Sequence, residues 1–162
     1  MKKYFLILLM LPVFTKGQNL LIDEQTGKYA KQAVIEVENQ PKQLIYKKAV
    51  EWITLNYKSA NDVIQLKDES EGKIILKGNF SSNMYMKAGL IEHTLILEFK
   101  DNKFRYSYTD LAYYSAGSGK MPFEGNLMSK KKLLSNTEQD IDNSIKSLSE
   151  YIFKSYNSKD DW

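Results

Sequence analysis

The stretch "YYSAGSGKMPFEG", residues 113 to 125, gathers glycines, serines and a lysine, the residue types from which phosphate-binding loops are made. A loop of the Walker type needs Gly, four residues, then Gly-Lys-Ser or Gly-Lys-Thr, so that successive backbone N–H groups wrap the phosphates and the hydroxyl holds magnesium. Here Gly119 and Lys120 are followed by Met121, and the place of the first glycine is taken by Tyr114. The stretch is therefore read as a flexible turn ending near Pro122, and it implies neither a nucleotide nor any other cofactor. Its tyrosines and methionine are a separate matter. Tyr113, Tyr114 and Met121 suit contact with a sugar, peptide or lipid, since aromatic side chains are large, amphipathic and cheap to order; in the alternative, Tyr113 and Phe123 tuck the loop back onto the domain edge.

The remaining chemistry is sparse. Histidine occurs once, at His93, in the parity of Ile91 and Leu95, which places it on a covered strand face as a packing residue with one satisfied nitrogen. Zinc sites need several His or Cys ligands, and the chain has one histidine and no cysteine. "DESEG", residues 68 to 72, lacks the ligand spacing of a calcium loop and is read as a solvated turn. No Gly-x-Ser-x-Gly elbow is present, so a serine nucleophile would have to recruit His93 from its covered position. Two acids meeting only in the fold would be needed for carboxylate hydrolysis. No catalytic, metal or cofactor residue is assigned.

What positions these residues begins with the first seventeen. "MKKYFLILLMLPVFTKG" has Lys2 and Lys3, an apolar run from Tyr4 to Phe14, then Thr15, Lys16 and Gly17, the order of a secretory signal peptide with cleavage expected between Gly17 and Gln18. The run is shorter than the roughly 20 residues that a membrane span requires. Without cysteine, neither a lipoprotein anchor nor a disulfide is available, so the expectation is a periplasmic or secreted chain held by its core alone. Of the 23 Lys and Arg residues, Lys2, Lys3 and Lys16 lie in this segment and none of the 20 Asp and Glu residues does, leaving a neutral remainder. Such a balance offers no footprint for nucleic acid.

After an extension over 18–27, period-two and period-3.6 patterns alternate. Ala33, Ile35 and Val37 mark a strand, and Pro41 introduces a helix carrying Ile45, Ala49, Trp52 and Ile53 on one face. Two hairpins follow, around "DESEG" and "KDNK", with Ile74, Leu76 and Phe80, then Ile91, Leu95, Leu97 and Phe99, then Phe104, Tyr106 and Tyr108 facing inward. A change of parity beyond Tyr108 predicts a bulge near Thr109 and Asp110. Thr137 and Asp140 have the spacing of an N-cap box, with Lys130 to Lys132 in a loop before it, and Ile141, Ile145, Leu148 and Ile152 form the stripe of a second helix. The order β-α-β-β-β-β-α predicts one α+β domain over 28–157, a two-layer fold of about five antiparallel strands with both helices on one face, followed by a frayed tail over 158–162.

The residues "QLIYKKAVEWITLNYKSANDVIQLKDESEGKIILKGNF" and "TLILEFKDNKFRYSYTDL" resemble a bacterial family of exported proteins, a domain of unknown function with a TBP-like fold. The shared features are Tyr46 and Trp52 on the first helix, the Gly72, Ile74, Gly78 pattern, and Arg105 in the last strand, and the resemblance covers about residues 28 to 115. It implies a curved antiparallel sheet backed by two helices and brings no catalytic residues. The resulting expectation is a non-catalytic binding module of the cell envelope. Its partner, a protein or another envelope component, would dock on the open sheet face with Gln32, Lys77 and Arg105, on an edge strand, or on the loop with Tyr113, Tyr114 and Met121. The alternatives are an envelope carboxylate hydrolase and a carrier of lipid or another small ligand, which would need a cavity between helices and sheet.

Overall fold

Alternating apolar residues build a seven-stranded antiparallel sheet, seen in a computed structural model that describes residues 19–82 and 88–157. The expected signal peptide over 1–17 and tail over 158–162 lie outside the described residues. The strands are β1 (Leu21–Ile22), β2 (Tyr29–Glu36), β3 (Ile64–Asp68), β4 (Lys73–Ser82), β5 (Gly89–Lys100), β6 (Lys103–Ser115) and β7 (Gly119–Pro122). Their order is β1-β2-β6-β5-β4-β3, with β7 also paired to β6. The sheet thus has seven strands where about five were expected. The two extra strands are short: β1 comes from the segment read as an extension, and β7 from the second arm of the glycine-rich turn.

The helices α1 (Lys42–Asn56) and α3 (Lys130–Asn157) cover one face, and α2 (Ala60–Val63) is a single turn before β3. The core lies between these layers and takes its members from the inward parity of each strand and the apolar stripes of α1 and α3. Trp52 is 3% exposed, and its indole Nε1 donates to Ser147 Oγ at 3.1 Å, tying α1 to α3. Burial of such a side chain contributes roughly 1.5–3 kcal/mol. The Tyr108 hydroxyl and Ser144 Oγ, 2.9 Å apart, join β6 to α3 in the same way.

Two local expectations are corrected. The second helix starts at Lys130, so the Lys130 to Lys132 run is its first turn, and Thr137 lies inside the helix, buried, instead of capping it. The reason is visible in the spacing: Leu133 and Thr137 extend the four-residue steps of Ile141 and Ile145 upstream, and no Gly or Pro interrupts them. Ser129, at φ 53°, makes the bend, and its carbonyl accepts from the N–H groups of Lys132 and Leu133.

The predicted bulge is present and defines the geometry that follows. Glu92 pairs with Ala112 and Thr94 with Thr109, so Asp110 and Leu111 together oppose His93. Asp110 takes φ 54°, a left-handed conformation that aspartate tolerates better than most residues.

Candidate functional site

A β-bulge bends its strand and increases the local twist. Here it also marks where β6 changes partners along one edge: β2 pairs with Lys103 through Tyr108, and β7 takes over from Ala112 to Ser115. A cleft of about 550 Å³ opens at this junction, on the sheet face opposite α1 and α3. Thr94 and Ala112 contribute small side chains to its lining, Lys77 and Glu92 come from β4 and β5, Lys120 from β7, and Lys28 and Glu124 from the segments flanking β2 and β7.

The charges around the cleft are already matched. Lys28 Nζ lies 2.5 Å from Asp110 Oδ1, and Lys120 Nζ lies 2.7 Å from Glu92 Oε2. The hydrogen bond from Lys28, opposed in part by desolvation and reinforced by Thr94 and the charges of Lys28 and Lys77, holds the Asp110 carboxyl below the usual range. Glu124 accepts from the backbone N–H of Tyr29 at 2.9 Å, which holds it against the start of β2. A general acid needs a carboxyl whose pKa is pushed up toward neutrality, and Asp110 is pushed the other way. Among the described residues no group of three His, Asp or Glu side chains is placed to hold a metal ion.

The residues singled out from sequence are distributed unevenly. Lys77 lines the cleft. Gln32 and Arg105 are exposed on the same open face, where Gln32 stands opposite Ser107 and Arg105 is held by Glu98 at 2.6 Å, outside the cleft. Tyr114 is 39% exposed and cross-strand from Lys120, so it stands beside the cleft. Tyr113 takes the second of its two expected roles and not the partner contact: it is 2% exposed, because its parity turns it inward over Gly89, and with Phe123 at 0% it tucks the loop onto the core. Met121, its cross-strand neighbour, packs partly buried against the same core. The glycine-rich turn closes the β6–β7 hairpin, with Ser118 N–H donating to the Ser115 carbonyl at 3.2 Å and Gly119 at φ 67°. Lys28, Glu92, Asp110, Lys120 and Glu124 were not found from sequence. The one signal that pointed to them was the parity break at Asp110, whose consequence, a gap between β2 and β7, needed the pairing of β7 to be known.

His93 also borders the cleft and is 3% exposed. Its ring stacks on Phe80 at 4.3 Å between centroids and meets Tyr108 edge-on at 4.9 Å. Neither ring nitrogen has a hydrogen-bond partner, where one satisfied nitrogen was expected. Desolvation lowers its pKa to about 4, with the backbone of Ile91 acting weakly in the opposite direction. A second depression, of about 290 Å³, lies between α3 and the end of β4, lined by polar groups such as Ser81, Ser82, Asn136 and Asp140. Its polarity is wrong for an acyl chain.

Residues 32–114 match the model of a family described as a domain of unknown function (DUF4468) with TBP-like fold. A TBP-like protein from Parabacteroides distasonis has a similar solved structure, with a TM-score of 0.69 at 15% identity over 85% of this chain and 99% of that one. A DUF4468 family protein from Bacteroides ovatus aligns with a TM-score of 0.66, again at 15% identity, over 87% of this chain and 93% of its own. No curated protein matches the chain.

Proposed function

The chain belongs to the DUF4468 family of TBP-like domains, and from that premise we propose that it is an exported, non-catalytic binding module of the cell envelope, holding its partner in the cleft of the open sheet face. The observation that carries this reading is the state of the cleft: it is roomy enough for a ligand, yet two of its acids, Asp110 and Glu92, are each neutralised by a lysine. Ligand sites of roughly 300–1,000 Å³ with a few placed polar groups are the usual scale for small-molecule or peptide-end recognition. A ligand entering here exchanges protein ion pairs for its own, so the fitting chemistry is a partner that offers both a cation and an anion or a dense set of hydroxyls.

Export is supported by the order of charge, short apolar run and small residue over Met1 to Gly17. No helix among the described residues is long and apolar enough to cross a membrane. Intact-mass measurement of the chain recovered from the envelope fraction is expected to start at Gln18; a chain beginning at Met1 in the cytoplasmic fraction contradicts export.

The cleft is tested by Lys77→Glu combined with Lys120→Glu. Both lysines are exposed, and reversing them breaks the Lys120–Glu92 pair and sets like charges side by side, so unfolding stability is expected to fall by about 1–2 kcal/mol with the fold retained. Recovery of the bound envelope component should fall at least about tenfold, as expected where like charges replace complementary ones. Undiminished recovery by the folded variant excludes the cleft as the site.

A further inference from the structure

Between the cleft and the β5–β6 turn, the open sheet face carries two adjacent cross-strand rows with a definite symmetry. In the first, Asp68, Lys73, Glu98 and Arg105 stand in register on β3, β4, β5 and β6. Their charges alternate in sign and sum to zero. In the second, Leu66, Ile75, Ile96 and Ser107 stand in register on the same four strands. Leu66 is 41% exposed, Val34, opposite Arg105 on β2, is 38% exposed, and Ile75 and Ile96 are half-buried. Such a row of aliphatic side chains lies on the face that α1 and α3 leave open.

A two-fold axis running along the strands between β4 and β5 reverses the order of the four strands. It sets Asp68 of one copy over Arg105 of the other and Lys73 over Glu98, so the alternating row is its own complement. The same operation lays Ile75 over Ile96 and Leu66 over Ser107, closing the aliphatic row on itself. Isologous contacts of this kind are the commonest way for a soluble chain to oligomerise, and two sheets stacked about 10 Å apart with aligned strands are a standard packing. We propose that the chain pairs with a second copy of itself through this half of the open face. A partner of a single charge sign is disfavoured by a row that presents both signs alternately. The inference is independent of the cleft reading, because it rests on rows nearer the β5–β6 turn, and it has a consequence for it: both clefts lie at the same end of the pair.

Sedimentation velocity on the purified full chain, over a concentration series, tests the arrangement through its symmetry. The parent is expected to form dimers with rising concentration. Glu98→Lys places Lys73 of each copy against a lysine of the other and should weaken the dimer at least about tenfold. Adding Lys73→Glu to Glu98→Lys restores a self-complementary row, two negative then two positive, and should restore the dimer. Ile96→Asp, in the aliphatic row, should abolish it, while Lys77→Glu with Lys120→Glu in the cleft leaves it unchanged. Thermal unfolding of each variant verifies that it is folded, and the N-terminal apolar segment is common to all of them, so it cannot produce the pattern. A parent that stays monomeric to about 1 mM, where association is worth only about 4 kcal/mol, overturns the proposal. So does a dimer indifferent to Glu98→Lys and Ile96→Asp, or one that the double exchange fails to restore.

Discussion

Gly89→Ala is expected to destabilise the fold by about 3 kcal/mol, although replacing glycine by alanine at the start of a strand ordinarily costs nothing. Gly89 opens β5, and glycine pays more conformational entropy on folding than alanine, so the exchange by itself should gain a fraction of a kcal/mol, below the roughly 0.5–1 kcal/mol of a mid-strand site. At Gly89 the position is already occupied. A Cβ built on this backbone would lie 2.5 Å from the Tyr113 hydroxyl oxygen and 2.6–2.7 Å from its ring carbons. Tyr113 is 2% exposed and forms part of the core, so its ring has no open side to swing into. Relief must come from a shift of β5 or from expulsion of the ring, and overpacking of this kind costs typically 1–3 kcal/mol, more where a large aromatic is displaced. Thermal unfolding should show a fall in midpoint of about 10 °C for a domain of this length. The decisive comparison is the same substitution in a Tyr113→Val background. With the ring gone, Gly89→Ala should cost less than about 1 kcal/mol, the coupling expected of two groups in direct contact. An equal cost in both backgrounds would assign the loss to the strand backbone instead.

That glycine shows what separates the legible from the illegible parts of this chain. Patterns that depend on one segment alone were readable: the helical stripe through Ile45, Ala49, Trp52 and Ile53, both long hairpins, and the bulge that Leu111 and Tyr113 betray by their parity. The layer architecture followed because two amphipathic helices and an alternating sheet can hide their apolar faces in few ways. What escaped depends on a second segment. Lys31 sits on the inward parity of β2 and is only 3% exposed, tolerated because Nζ reaches Asp142 at 2.6 Å and Glu138 at 3.2 Å, both on α3. Nothing near Lys31 in sequence announces those carboxylates, 107 residues and more away. The short strands β1 and β7 escaped for a related reason, since two or four residues carry no period and are strands only by virtue of the neighbour they pair with. The cleft escaped with them, because the side that closes it over β4, β5 and β6 is made by β7, Glu124 and Lys28, the residue before β2. Lys77 was singled out for its outward parity alone, and the acid–lysine pairs around it became visible only with the sheet assembled.

Acid should expose a charge-dependent term in the stability of the fold, and His93 is its source. In the unfolded chain its imidazole titrates near 6.5, whereas burial among Phe80, Tyr108 and Tyr57 lowers the folded value to about 4. Between these values the unfolded chain binds the proton and the folded chain does not, so stability falls as the pH drops through the window from 6.5 to 4 and the loss is complete below it. A difference of this size corresponds to about 3 kcal/mol. His93→Leu removes the titrating group while keeping an apolar side chain in the site. Chemical unfolding at pH 7 and pH 4 should show the parent losing about 3 kcal/mol more than the variant over that interval. Gly78 packs close from the other side: a Cβ there would lie 2.8 Å from His93 Nε2 and 3.0 Å from Tyr57 Cε1, so only glycine fits against the ring. If parent and variant lose stability in parallel, the imidazole must be finding a partner on protonation, and the aromatic enclosure opens in acid instead of resisting it.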